Sequence, residues 1–158
     1  MHIRRSIPAG VAAAALVFAT ANGVDAKTLV KGNLNGAFKA NTVKKIFYTA
    51  ANGSLVLNGT QLKGRAVSKS ITVTCFGVPA LQVGVVTGCI ATVFFINPLA
   101  QQSQAWTTID GALSVEVTAV KGKTATVTFS GSAPGDEGNS NTPLTISGGI
   151  AKGKVTLP

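Results

Sequence analysis

From residue 27 onward, hydrophobic and polar residues alternate in short runs separated by turn-forming residues. This two-residue period is typical of β-strands, and no stretch after residue 26 has the spacing of an amphipathic helix. The runs predicted as strands are "TLVKGNLNGAFKA" with a turn at Asn35-Gly36, "TVKKIFYTA" and "SLVLNGT" with a turn at Asn52-Gly53, "RAVSKSITVTC", "CIATVFFI", "ALSVEVTAVKGKTATVTFSGS" and "LTISGGIAKGKVTL". "NPLAQQSQ" and "APGDEGNSNTP" are predicted as loops. We therefore expect an all-β protein, an antiparallel β-sandwich or a squat β-barrel.

The run "ALSVEVTAVKGKTATVTFSGS" allows a prediction of strand register. Its odd-numbered apolar residues mark one face, and residues that oppose each other across two strands share a face. We therefore expect Val117 to pair with Val127 and Val115 with Phe129, which leaves Lys121-Gly122-Lys123 as a three-residue loop. The buried face would comprise Leu113, Val115, Val117, Ala119, Ala125, Val127 and Phe129. The solvent face would comprise Glu116, Thr118, Thr124, Thr126 and Thr128.

The first 26 residues have the organisation of a secretory signal peptide. The positive segment "MHIRR" precedes the apolar run "PAGVAAAALVFATA", and "VDA" before Lys27 fits a cleavage site, with "ATA" before Asn22 as the alternative. The apolar run is shorter than the roughly 20 residues of a membrane span. We expect export to the periplasm or the extracellular space. The mature chain would be a single β-domain, residues 27–158, with no transmembrane segment.

The chain has two cysteines, Cys75 and Cys89. Because an exported protein meets an oxidising compartment, we expect them to form a disulfide with each other. The segment between them carries no charged residue and is rich in apolar ones: Val78, Leu81, Val83, Val85 and Val86.

These five side chains would make an unusual patch if all of them lay in water. We expect most of them to pack against the β-domain and cover one open end of the sandwich, with Gln82 and Thr87 pointing outward. Two alternatives remain open. The segment is a lid over a ligand cavity, or it is an exposed surface that docks a ligand or partner.

The charge of the chain is strongly positive. It has 14 basic and 5 acidic residues, and loss of Arg4, Arg5 and Asp25 with the signal would leave 12 and 4. We expect a solvated surface whose lysines protect sheet edges, and the alternative is a surface that binds an anionic envelope component as a partner. Another protein is a further possible partner. Nucleic acid is not expected, because aromatic and basic residues are not interleaved.

Catalytic chemistry has few candidate residues. The one histidine, His2, lies in the predicted signal, which leaves no histidine for nucleophilic or metal sites. The carboxylates of the mature chain are Asp110, Glu116, Asp136 and Glu137. They lie in predicted turns, a loop or a solvent face, and no glycine-rich phosphate motif is present. We expect neither enzymatic activity nor a bound metal or cofactor.

Four segments, "LNGAFKANTV", "NGSLVLNGT", "VEVTAVKGKTATVTFSGS" and "LTISGGIAKG", resemble a broad family of uncharacterised small secreted bacterial all-β proteins. The resemblance implies a bacterial envelope or secreted protein with one β-domain. It supplies no catalytic or binding residue. The expected function is a non-catalytic binding or structural module, and the alternative is a carrier of a small apolar ligand in a barrel cavity whose mouth is residues 76–88.

Overall fold

A computed structural model describes residues 27–97, 102–135 and 142–157 of the chain. The predicted signal peptide and much of the loop "APGDEGNSNTP", with Asp136 and Glu137, lie outside these residues. Within them the chain forms eleven strands: β1 (Leu29–Leu34), β2 (Ala37–Lys39), β3 (Lys44–Thr49), β4 (Ser54–Lys63), β5 (Ala66–Cys75), β6 (Gly84–Val86), β7 (Cys89–Asn97), β8 (Gln102–Thr107), β9 (Leu113–Lys121), β10 (Thr124–Ala133) and β11 (Leu144–Thr156). The predicted all-β class is therefore confirmed.

The strands form one continuous sheet that is folded into two halves. The first half, sheet A, has the order β6-β9-β10-β11-β1-β2, and the second, sheet B, has the order β3-β4-β5-β7-β8. The sheet does not close into a barrel, so the sandwich is the architecture that this chain adopts. Sheet A packs on sheet B where Val30 and Phe38 cover Gly59, which has no side chain to hold them away.

Strand β11 connects the two halves. It is antiparallel to β10 and to β1 over most of its length, and its last residues pair in parallel with β3, Val155 opposite Ile46. The predicted antiparallel arrangement holds for the other strand pairs of the described residues, and this junction makes the sheet mixed. Gly148, with a φ of 57°, lies in a bulge at which the registers with both neighbouring strands shift. A bulge of this kind increases local twist and bends the strand.

The core lies between the two halves, and alternate residues of the strands supply it. Ile71, Val73 and Cys75 of β5 are buried on one face, as their spacing predicts. The largest side chains that are almost wholly buried are Leu34, Ile46, Leu55, Leu57, Ile71, Leu144 and Ile146. Of residues 27–97, 102–135 and 142–157, none belongs to a helix that could cross a membrane.

The β9–β10 hairpin has the predicted side-chain pairs but a different turn. Val117 opposes Val127 and Val115 opposes Phe129, as expected. The predicted three-residue loop is wrong, because Lys121 pairs with Thr124 and leaves a two-residue turn. Gly122 has a φ of 57°, which suits the first central position of a type II′ turn, and this turn matches the twist of the strands.

The turn has one residue fewer than the predicted loop, and β9 has one residue more than its partner strand. Ala119 opposes Thr126 while Val117 opposes Val127, so Thr118 is the extra residue of a β-bulge. The bulge turns Ala119 to the solvent face, where the sequence predicted a buried residue. The remaining six residues of the predicted face are buried as expected.

Strand β8 begins within the predicted loop "NPLAQQSQ". Gln102, Ser103 and Gln104 pair with β7, and Phe95 opposes Gln104. The polar composition of this segment suggested a loop, whereas tertiary pairing makes it a strand. Trp106, near the end of β8, is buried, and its indole Nε1–H donates a hydrogen bond to the carbonyl oxygen of Thr142 at 3.0 Å.

The disulfide forms as predicted. Cys75 and Cys89 oppose each other on β5 and β7 and are covalently joined. Such a bond is compatible with an oxidising, exported location. It closes the base of the long connection between the two strands, so that residues 76–88 form a loop with fixed ends.

Candidate functional site

The structure divides the five apolar residues of the cysteine-bracketed segment into two groups. Val78 is buried, and Leu81 and Val86 are partly buried and pack against the core. Val83 and Val85 project into solvent, with 61% and 75% of their surfaces exposed. The segment thus covers the domain with three of these residues and presents the other two. Gln82 and Thr87 are exposed, as predicted.

Val78 attaches the segment to the turn between β3 and β4. Its backbone N–H donates a hydrogen bond to the carbonyl oxygen of Gly53 at 2.7 Å, and its own carbonyl oxygen accepts one from the Tyr48 hydroxyl at 3.1 Å. Gly53 has a φ of 59°, and a Cβ there would lie 2.9 Å from the Val78 oxygen. A glycine is therefore needed here for two reasons: the turn has a positive φ, and the backbone of Val78 approaches closely.

Replacement of Tyr48 by phenylalanine tests this attachment. We expect Y48F to lower the free energy of unfolding by about 1–2 kcal/mol, because the buried carbonyl of Val78 loses its side-chain donor. Amide exchange in residues 76–88 should accelerate more than exchange in β10, which a mass-spectrometric exchange experiment resolves. Uniform acceleration, or none, would show that the hydroxyl does not anchor the segment. F47Y, at a partly buried neighbouring position, is the matched control.

The segment also contains a strand that the sequence did not predict. Strand β6 pairs with β9 at the edge of sheet A, with Gly84 opposite Val117 and Val86 opposite Val115. The connection that leaves sheet B at Cys75 therefore crosses to sheet A before it returns at Cys89. A cleft of about 140 Å³ lies in this connection, lined by residues that include Pro79, Gln82 and Val86.

The outer face of sheet A carries a group of lysines that we call the lysine face. The strand registers place these residues in two rows that cross neighbouring strands. One row runs from Lys121 through Thr124 to Lys154. The other runs from Ile150 through Lys31 to Lys39. Lys152 lies between the two rows. All five are exposed: Lys31, Lys39, Lys121, Lys152 and Lys154. With about 4.8 Å between strands, they form a diagonal band roughly 20–25 Å long.

A shallow groove of about 220 Å³ lies at one end of this band. Its lining includes Lys121 and Lys152 together with Ala119, Thr124 and Thr126. The groove exists because the bulge at Thr118 places the small Ala119 on the outer face. Two ammonium groups beside threonine hydroxyls form a surface that suits an anionic group.

Few negative charges compensate for the lysine face. Asp110 and Glu116 are the two acidic residues in the described part of the chain, and only Glu116 belongs to this face. The strand registers place Glu116 three strands away from Lys31, a distance of roughly 14 Å. Lys31 and Lys39 oppose each other directly, and like charges in that position destabilise a sheet. A bound anion would remove this repulsion.

Lys69 lies outside the lysine face, on β5 of sheet B. Its ammonium nitrogen is 4.7 Å from the ring centre of Phe95 and 3.4 Å from the carbonyl oxygen of Leu34. Phe95 in turn makes an edge contact with Trp106. Partial burial lowers the pKa of Lys69 below its usual range. The contact with Phe95 is a cation–π interaction, and it fixes Lys69 in the fold of sheet B.

No cluster of three or more metal-binding side chains occurs among residues 27–97, 102–135 and 142–157. The chemistry that the lysine face can perform is the electrostatic attraction and hydrogen bonding of anions. Sequence reasoning identified the net charge but not this face. Alternation in β11 does indicate that Lys152 and Lys154 point to solvent, since Ala151, Gly153 and Val155 alternate with them.

We compared the chain with protein-family models, with curated proteins and with solved structures. None of these comparisons gives a match. The resemblance to small secreted bacterial β-proteins therefore stays a prediction.

Proposed function

We propose that this protein is an exported, non-catalytic binding module that holds an anionic polymer or surface on its lysine face. The observation that supports this most directly is the alignment of five exposed lysines on one face of sheet A, where Glu116 is the one acidic side chain among the described residues of that face. Flexible lysines on a flat surface attract polyanions without requiring a specific sequence or shape.

The alternative, a carrier of a small apolar ligand, has less support. The sheet is open, and the space between its two halves contains core side chains such as Leu55, Leu57 and Val115, which are almost wholly buried. A ligand large enough to need a carrier would have to displace them. The grooves at the lysine face and in the cysteine-bracketed segment open to solvent instead.

Binding to soluble polyanions tests the proposal. We expect the protein to bind both polyphosphate and polyglutamate at low ionic strength, with an affinity that falls as salt rises because exposed charges are screened. The triple variant K121Q/K152Q/K154Q should bind about tenfold more weakly, since three exposed charge pairs at about 0.5 kcal/mol each contribute about 1.5 kcal/mol. Fluorescence anisotropy of the labelled polymers measures both effects.

The matched control removes the same number of positive charges elsewhere. K45Q/K63Q/R65Q changes exposed residues of sheet B and its turn and leaves the lysine face intact. An equal loss of affinity in the two triple variants would mean that net charge alone causes binding. Absence of binding by the unmodified protein to either polymer would overturn the proposal. A preference for one polymer identifies phosphate or carboxylate as the anionic group.

A further inference from the structure

Val85 lies at the edge of the same face as the lysines, and Val83 is exposed in the bend that precedes its strand. Val85 opposes Glu116, and both side chains are exposed on the outer side of sheet A. Val85 is the most exposed of the large hydrophobic residues in the described part of the chain. Val83 lies in the bend directly before β6 and is also exposed. We call these two residues the valine edge.

The valine edge is continuous with the lysine face. Strand β6 neighbours β9, which ends at Lys121 beside the groove. Val85 opposes Glu116, and the usual strand spacing and rise place it roughly 15 Å from Lys121 at the end of β9. A single flat partner can therefore contact the valines and the lysines at the same time.

The exposure of the two valines is built into the fold. The disulfide holds both ends of the segment, Val78 is bonded to the β3–β4 turn, and β6 is bonded to β9. These three attachments prevent the segment from folding back to bury its valines. Proteins commonly protect an edge strand with lysine or proline, whereas β6 presents a valine there. An exposed apolar group beside a charged face is typical of an interaction site.

The combination of charges and aliphatic side chains suits the surface of a lipid bilayer. Lysines attract anionic headgroups, and adjacent apolar side chains can enter the boundary between headgroups and acyl chains. A polysaccharide offers no apolar layer for valine. The described outer positions of the six strands of sheet A carry no aromatic ring on which a sugar could stack.

We propose that the anionic partner is the headgroup layer of a lipid bilayer, which the lysine face binds while Val83 and Val85 insert beside it. This inference rests on the proposed function, because it identifies the partner of the same face. Headgroups move laterally, so they can match lysines whose spacing is irregular. The two parts of the surface should contribute separately to the binding free energy. The contribution of the lysines should fall as salt rises, and the contribution of the valines should not.

Co-sedimentation with vesicles tests this inference. We expect the mature chain, residues 27–158 purified in oxidised form, to bind vesicles of equal parts phosphatidylglycerol and phosphatidylcholine, and not vesicles of phosphatidylcholine alone. V83S/V85S should bind the anionic vesicles about tenfold more weakly, because burial of each methyl-sized group strengthens membrane binding appreciably. The same variant should bind polyphosphate as the unmodified protein does. I109S, which changes a comparably exposed residue between β8 and β9, is the control.

The outcomes separate this inference from the proposed function. Binding to polyphosphate or polyglutamate without binding to anionic vesicles would overturn the bilayer as partner and leave the polyanion-binding function standing. That result would indicate that the partner is an acidic polymer or an acidic protein. Vesicle binding that V83S/V85S does not weaken would overturn insertion of the valines. Absence of binding to all three probes would overturn both proposals.

Discussion

Replacing both Cys75 and Cys89 with alanine is expected to lower the free energy of unfolding by about 3 kcal/mol. The closed loop contains about 15 residues, and for this length the chain-entropy model gives a destabilisation of that size. The sheet itself should persist, because β5 and β7 pair along seven residues from Lys69 to Cys75. Urea denaturation of the variant and of the oxidised protein measures the difference, and circular dichroism tests whether the sheet is retained.

A reducing agent provides the control for this prediction. It should destabilise the unmodified protein to the level of C75A/C89A and leave the variant unchanged. Amide exchange in β6 should also accelerate, since the segment that carries this strand loses its fixed ends. A variant as stable as the oxidised protein would show that strand pairing alone holds residues 76–88 in place.

The second large effect is expected for Gly149→Ala. A Cβ at this position would overlap the ring of Phe129 and the carbonyl oxygen of the same residue. Phe129 is buried between the halves of the sheet and cannot move without disturbing the core. Because backbone as well as side chain must shift, we expect a loss of about 3 kcal/mol, at the upper end of the usual range for overpacking. Thermal and urea unfolding would measure it.

Gly64→Ala is the matched substitution. Gly64 lies in the β4–β5 turn with a φ of 66°, and a Cβ there would meet no atom within 4 Å. Only backbone strain remains, which costs about 1–2 kcal/mol for a left-handed residue. Equal destabilisation by the two substitutions would mean that the contact between Gly149 and Phe129 is not a constraint on the fold.

The fold class could be predicted because its signals are local. Alternation places Val115, Val117, Val127 and Phe129 on one face, and the register of the hairpin follows from that parity alone. The turn did not follow, since a two-residue turn with a bulge and a three-residue loop keep the same valines opposed. Gly122 favours the two-residue turn because it adopts a positive φ, and the bulge is possible because Ala119 fits on the outer face.

The candidate site was less predictable because it depends on contacts between distant strands. The lysine face joins Lys31 and Lys39 from one end of the chain with Lys121, Lys152 and Lys154 from the other. The alternation within each strand is enough to predict that each of these lysines faces outward. Their proximity requires the order of strands in sheet A, which no local pattern encodes. Strand β6 was missed for the same reason, since three residues show no period and only pairing with β9 makes them a strand.

The position of β11 has a consequence for the way in which this chain folds. Leu29 of β1 pairs with Lys152 of β11, and the parallel pairing of β11 with β3 brings Val155 to Ile46. Both contacts span more than a hundred residues, so loop closure over nearly the whole domain must precede them. Chains dominated by such non-local pairing fold in milliseconds to seconds, far more slowly than helical proteins. A nascent chain that has not yet delivered residues 144–156 cannot complete the sheet. Until then, both β1 and β3 lack the strand that joins them, and the two halves of the sheet cannot assemble.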